Sequence, residues 1–95
     1  MDYSSIISTL NEDNTCKSIL YICKKDAEKF IMINICNDNN KIYIGRVEGD
    51  KIIFKERGKE EEQIVKVSGN SKSVLKVNEE FYAYNITEEL FSEIL

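Results

Sequence analysis

Between Lys17 and Glu56 the chain repeats one theme four times: a short, apolar, β-branched run bounded by polar turn residues, over 19–23, 30–36, 41–47 and 51–56. The gaps between these runs are too short for crossover helices, so the runs are expected to pair as neighbours in an antiparallel meander. This feature constrains architecture and names no chemistry. The expected fold is a single α+β domain over residues 1–95. It comprises a meander of about six or seven strands, able to curl, with a short helix at each end.

Alternation within the runs assigns the faces. Ile31, Ile33 and Ile35 alternate with Phe30, Met32, Asn34 and Cys36. A turn over 37–40 sets Ile35 opposite Ile42 and Ile33 opposite Ile44. A tight first hairpin around Asp26 and Ala27 adds Leu20 and Ile22 to that isoleucine face. Tyr21, Cys23, Phe30 and Met32 then fall on the other face, which is also apolar. Strands apolar on both sides are covered on both, here by a helix, a curled sheet or another subunit. Gly49 suits a turn, but two- and three-residue loops send Ile52 and Phe54 to different faces, so that register stays open. Residues 57–62 read as an exposed charged connection, and 63–68 with 73–77 as a further hairpin around Gly69 and Asn70.

The two ends differ in clarity. Tyr3, Ile6, Ile7 and Leu10 recur at helical spacing behind a possible Asp2 cap, and so short a helix must lay its stripe on the sheet. Near the other end, Tyr82, Tyr84 and Ile86 alternate with Phe81, Ala83 and Asn85, which favours a strand. Thr87 then caps a short helix, with Glu88 and Glu89 at its positive end and Leu90, Phe91, Ile94 and Leu95 facing inward. One continuous helix capped by Asn78, with Glu79 and Glu80 in its first turn, is the alternative.

The net charge of −4 is unevenly spread. Residues 1–16 carry −3, residues 17–59 carry +4 from ten basic and six acidic side chains, and residues 60–95 carry −5. Segregation of this kind is ordinarily that of solvated helices, yet it also presents acidic surface to a basic partner. Direct nucleic-acid binding is disfavoured because phosphates demand a cationic footprint. No apolar run approaches the roughly 20 residues of a membrane helix. Met-Asp-Tyr-Ser-Ser lacks the basic and apolar regions of a signal peptide, so a cytoplasmic location is expected. Three cysteines, Cys16, Cys23 and Cys36, leave one unpaired however they combine, and are read as small buried hydrophobes in a reducing compartment.

Chemistry has few places to reside. The chain contains no histidine, so the commonest general acid/base and the usual partner of a nucleophilic serine or cysteine are missing. Phosphate-loop, dinucleotide and Cys-x-x-Cys patterns are absent from the sequence. Ser71-Lys72-Ser73 does not make a dyad, since strand neighbours point to opposite faces. The clusters Glu60-Glu61-Glu62, Glu79-Glu80 and Glu88-Glu89 lack the spacing of a cation loop and read as solvated surface. Asn85-Ile86-Thr87 matches a glycosylation acceptor, but Thr87 serves better as a helix cap. No catalytic residue, cofactor or metal ligand is expected.

Recognition is the remaining work, and tyrosine suits it by combining large contact area with a polar tip. Of five tyrosines, Tyr3 and Tyr21 are assigned to the core. Tyr82 and Tyr84, beside Glu79, Glu80, Glu88 and Glu89, form an acidic–aromatic patch matched to a partner displaying Arg or Lys. The leading expectation is therefore a non-enzymatic protein-binding module. In size, acidity and lack of catalytic motifs the chain resembles the small anti-restriction and anti-CRISPR inhibitors of phages and mobile elements. That resemblance is one of general character, and no residue role carries over from it. It implies a basic, nucleic-acid-handling effector as partner. The alternatives are a nucleotide-signal sponge with Arg46, Lys55 and Arg57 on phosphate, an enzyme, and an assembly subunit that homodimerises through the second apolar face.

Overall fold

The computed structural model describes Ile6, Leu10 and residues 17–36, 39–66 and 81–95. These form strands β1 (Lys17–Cys23), β2 (Lys29–Ile35), β3 (Asn40–Glu48), β4 (Lys51–Glu56), β5 (Gln63–Lys66) and β6 (Phe81–Ile86), then helix α1 (Glu88–Ile94). All six strands join one sheet in the order β5-β4-β3-β2-β1-β6. Strands β1 to β5 are the expected antiparallel meander. The sheet as a whole is mixed, because β6 lies parallel to β1. The stretch 67–80 between β5 and β6 exceeds the dozen or so residues a parallel return requires, unlike the short loops that join β1 to β5. The hairpin expected around Gly69 and Asn70 lies outside the described residues.

Loop lengths correct two expected registers. Ile22 pairs with Phe30 across a five-residue connection, Lys24 to Glu28, rather than a tight turn at Asp26 and Ala27. That connection is closed by backbone hydrogen bonds from Asp26 N to Cys23 O and from Lys29 N to Asp26 O. The resulting one-residue displacement exchanges the faces of β1. Leu20 and Ile22 join Phe30 and Met32, while Tyr21 and Cys23 join the isoleucines. In the next hairpin Ile33 opposes Ile42 and Ile31 opposes Ile44. This is a two-residue displacement that keeps the isoleucines on one face. The β3–β4 turn is a two-residue loop with Gly49 at φ 60°, a positive angle that glycine adopts freely.

Each face has its own core. On one, Leu20, Ile22, Phe30, Met32, Ile52 and Phe54 bury against Ile6 and Leu10. Gly45 is required there: a Cβ on it would stand 2.5 Å from Ile53 O and 2.6 Å from Phe30 Cζ. A buried polar relay completes this face, with Ser18 Oγ donating to Asn34 Oδ1 (3.0 Å) and Asn34 Nδ2 donating to Leu10 O (3.1 Å). Of the expected N-terminal helix, only Ile6 and Leu10 are among the described residues.

On the isoleucine face α1 packs Phe91 and Ile94 over Cys23, Ile31, Tyr21, Ile42 and Ile86. Strand followed by helix is thus the arrangement at the C-terminal side. Thr87 caps α1 by accepting from Leu90 N at 3.3 Å. No helix among the described residues is long and apolar enough to cross a membrane. Cys23 is free and buried, as a small hydrophobe should be. Cys36 departs from that expectation and is disulfide-bonded. Lys17 lies opposite Ile35, which brings Cys36 alongside the start of β1.

Candidate functional site

Strand β6 is an edge of the sheet, and its period-two alternation puts Tyr82, Tyr84 and Ile86 on the isoleucine face. Register then extends them into rows. Tyr82 opposes Ile19, which opposes Ile33; Tyr84 opposes Tyr21, which opposes Ile31. The three tyrosines form a ladder. Tyr21 and Tyr84 stack with centroids 6.0 Å apart, and Tyr82 and Tyr84 at 6.4 Å with planes only 13° apart. Helix α1 covers the Cys23–Ile86 end of this face, and no other described element packs over the opposite end. Tyr82 is 53% exposed, Tyr84 49% and Ile35 41%, with Ile19 and Ile33 half-buried between them.

The acidic half of the expected patch is thinner than the aromatic half. Glu88 and Glu89 occupy the first turn of α1, where they complement the helix dipole. Glu88 is already paired with Lys25 Nζ at 3.2 Å, and Glu89 is exposed. Glu79 and Glu80 lie outside the described residues, as does Tyr3. Tyr43 meets Phe54 edge-on at 5.7 Å against the opposite core, a packing role. Tyr21, assigned to the core from sequence, is half-buried, packing against the Cys23–Ile31–Phe91 core while its ring also joins the ladder. Only knowledge that β6 pairs with β1 would have shown this.

A second feature lies on the same face beyond α1. A cleft of about 360 Å³ opens between the helix and strands β3 and β4, walled by Ile44, Ile53, Phe91 and Leu95. Lys29, Arg46, Lys55 and Glu62 also line it, with Gly45 and Phe54. Register explains the cations: Lys29 directly opposes Arg46, and Lys55 opposes Ile44. Arg46 donates from Nε to Glu48 Oε1 at 3.0 Å and pairs through Nη2 with Glu62 Oε1 at 3.6 Å. The Glu48 hydrogen bond, and then the nearby carboxylate charges, raise the Arg46 pKa above its usual value. Of the sequence-stated phosphate candidates, Arg46 and Lys55 meet here. Arg57 does not line the cleft; its backbone N–H donates to Ile42 O at 2.7 Å. Lys29 was not singled out by sequence, because its partner across the sheet depends on the β2–β3 register.

Among the described residues no three carboxylate or cysteine side chains converge in a set that would hold a metal ion. Comparison of the chain with protein-family models, with curated proteins and with solved structures finds no match.

Proposed function

We propose that this chain is a non-enzymatic protein-binding module whose contact surface is centred on Tyr82 and Tyr84. The observation that supports it is the ladder: two stacked tyrosines, each about half exposed, in register with Ile19, Ile33 and Ile35 on the isoleucine face of the sheet. Contiguous exposed apolar and aromatic surface of this kind marks interaction sites, and tyrosine is enriched among the residues that dominate interface energies. Glu89, exposed in the first turn of α1, together with the overall charge of −4, favours a partner that displays Arg or Lys, which can both pair with carboxylate and stack on the rings. The most concrete form of the reading is an inhibitor that occupies a basic, nucleic-acid-handling protein.

Affinity capture from the native cell tests it, comparing the wild-type chain with the double variant Tyr82→Ser/Tyr84→Ser. The proposal expects a protein retained by the wild type, released as salt rises, and lost from the double variant. Identical capture by both chains would remove the ladder from the account.

A further inference from the structure

We infer that the cleft between α1 and strands β3 and β4 is a binding site for a small amphiphilic anion, with an apolar ring or chain held by the walls and an acidic head held at the rim. This goes beyond the protein-binding reading and stands apart from the ladder, which lies on the other side of α1.

Three features carry the inference. The walls are Ile44, Ile53, Phe91 and Leu95, four apolar side chains from three elements facing one space. The volume, about 360 Å³, falls at the small end of the range for ligand pockets, the size of a substituted aromatic acid. The rim is cationic in a way that the sheet alone does not favour. Lys29 and Arg46 stand directly opposite each other on one face, and like charges so placed destabilise a strand pair. Arg46 is partly compensated by Glu48 and Glu62. Lys29 has only a long contact with Asp26, at 3.9 Å. Lys55, at the edge of the same space, makes no ion pair with any described residue. An acid seated on the apolar floor would meet Lys55 and Lys29 first and share Arg46 with Glu62.

The test uses a fluorescent aromatic sulfonate, 8-anilinonaphthalene-1-sulfonate, against its uncharged analogue N-phenyl-1-naphthylamine, with the full-length protein. Saturable one-to-one binding of the sulfonate is expected, with weaker binding of the neutral probe. Amide shifts in the sulfonate complex should concentrate at Gly45, Ile53 and Phe91. Lys55→Glu should weaken sulfonate binding about five-fold, as expected for reversing one exposed charge, and leave the neutral probe unaffected. Leu95→Asp, at a position 51% exposed at the end of α1, should weaken both probes. Equal binding of the two probes would overturn the anionic part of the inference. Sulfonate binding that survives Lys55→Glu and Leu95→Asp but vanishes in Tyr82→Ser/Tyr84→Ser would place the probe on the ladder and overturn the whole. So would no saturable binding at all.

Discussion

Tyr84 stacks on Tyr21 across the parallel β1–β6 pair, with ring centroids 6.0 Å apart and planes inclined by 28°. This contact ties the edge strand to its neighbour through side chains as well as backbone. Directly opposed aromatic pairs of this kind contribute roughly 0.2–1 kcal/mol. A double-mutant cycle with Tyr21→Ala and Tyr84→Ala, read by urea unfolding, is therefore expected to give a coupling of about 0.5 kcal/mol. A coupling of zero would mean that the rings stand side by side without interacting. Because that contribution is small, ladder variants should remain folded, which is what makes them usable in binding experiments.

Gly45 is the tightest point of the sheet. Substitution by Ala would set a methyl 2.5 Å from Ile53 O and 2.6 Å from the Phe30 ring. The first neighbour is backbone and cannot step aside. Gly45→Ala is expected to destabilise by about 1–3 kcal/mol, as overpacking does. Gly49→Ala isolates the other way a glycine can matter: nothing lies within 4 Å of its would-be Cβ, but φ is 60°, so the expected loss is about 1 kcal/mol from backbone strain alone. Equal stability of Gly45→Ala and wild type in thermal unfolding would contradict the packing described.

Asn34 links three parts of one buried relay, accepting from Ser18 and donating to Leu10 O. Asn34→Ala removes the donor to the Leu10 carbonyl and the acceptor that the Ser18 hydroxyl uses. The expected loss is about 1–3 kcal/mol per unsatisfied group. Replacing both side chains, Ser18→Ala with Asn34→Leu, removes both members of the hydrogen bond together and refills the Asn34 volume, and should cost less than the single Asn34→Ala change. Additive losses in denaturant unfolding would argue against a shared network.

Much of this architecture was legible in the sequence. The four β-branched runs, the Thr87 cap and the alternation that pairs Tyr82 with Tyr84 follow from local period and local hydrogen bonding. What was not legible depended on non-local register. One residue in the length of the Cys23–Lys29 connection decided whether Leu20 or Tyr21 shares a face with the isoleucines, because side chains alternate strictly along a strand. The parallel placement of β6 beside β1 lies beyond local reasoning, and with it the role of Tyr21. The cleft depends on the β2–β3 and β3–β4 registers together, so Lys29, Arg46 and Lys55 could be listed as cations but not assembled.

Glu56 and Lys59 form the shortest ion pair among the described residues, Oε2 to Nζ at 2.8 Å. The hydrogen bond from Lys59 lowers the Glu56 carboxyl below its usual value, and the same bond raises Lys59 above its own. A carboxyl depressed on folding contributes stability that is present above its unfolded pKa and lost as pH falls through the folded value. A raised lysine contributes stability present below its unfolded pKa and lost as pH rises through the folded value. The pair should therefore be indifferent to pH around neutrality and fade at both extremes. Lys59→Met is expected to move the Glu56 titration midpoint upward in a carbon-detected NMR titration. An unmoved midpoint would show that the contact does not persist in solution.

The most direct measurement of the central claim is footprinting of the complex with the captured partner, by hydroxyl-radical labelling read peptide by peptide in mass spectrometry. Binding through the ladder predicts that Tyr82 and Tyr84 lose labelling on complex formation while Tyr43, packed against Phe54, does not change. Unaltered labelling of Tyr82 and Tyr84, with protection appearing elsewhere on the chain, would contradict the account.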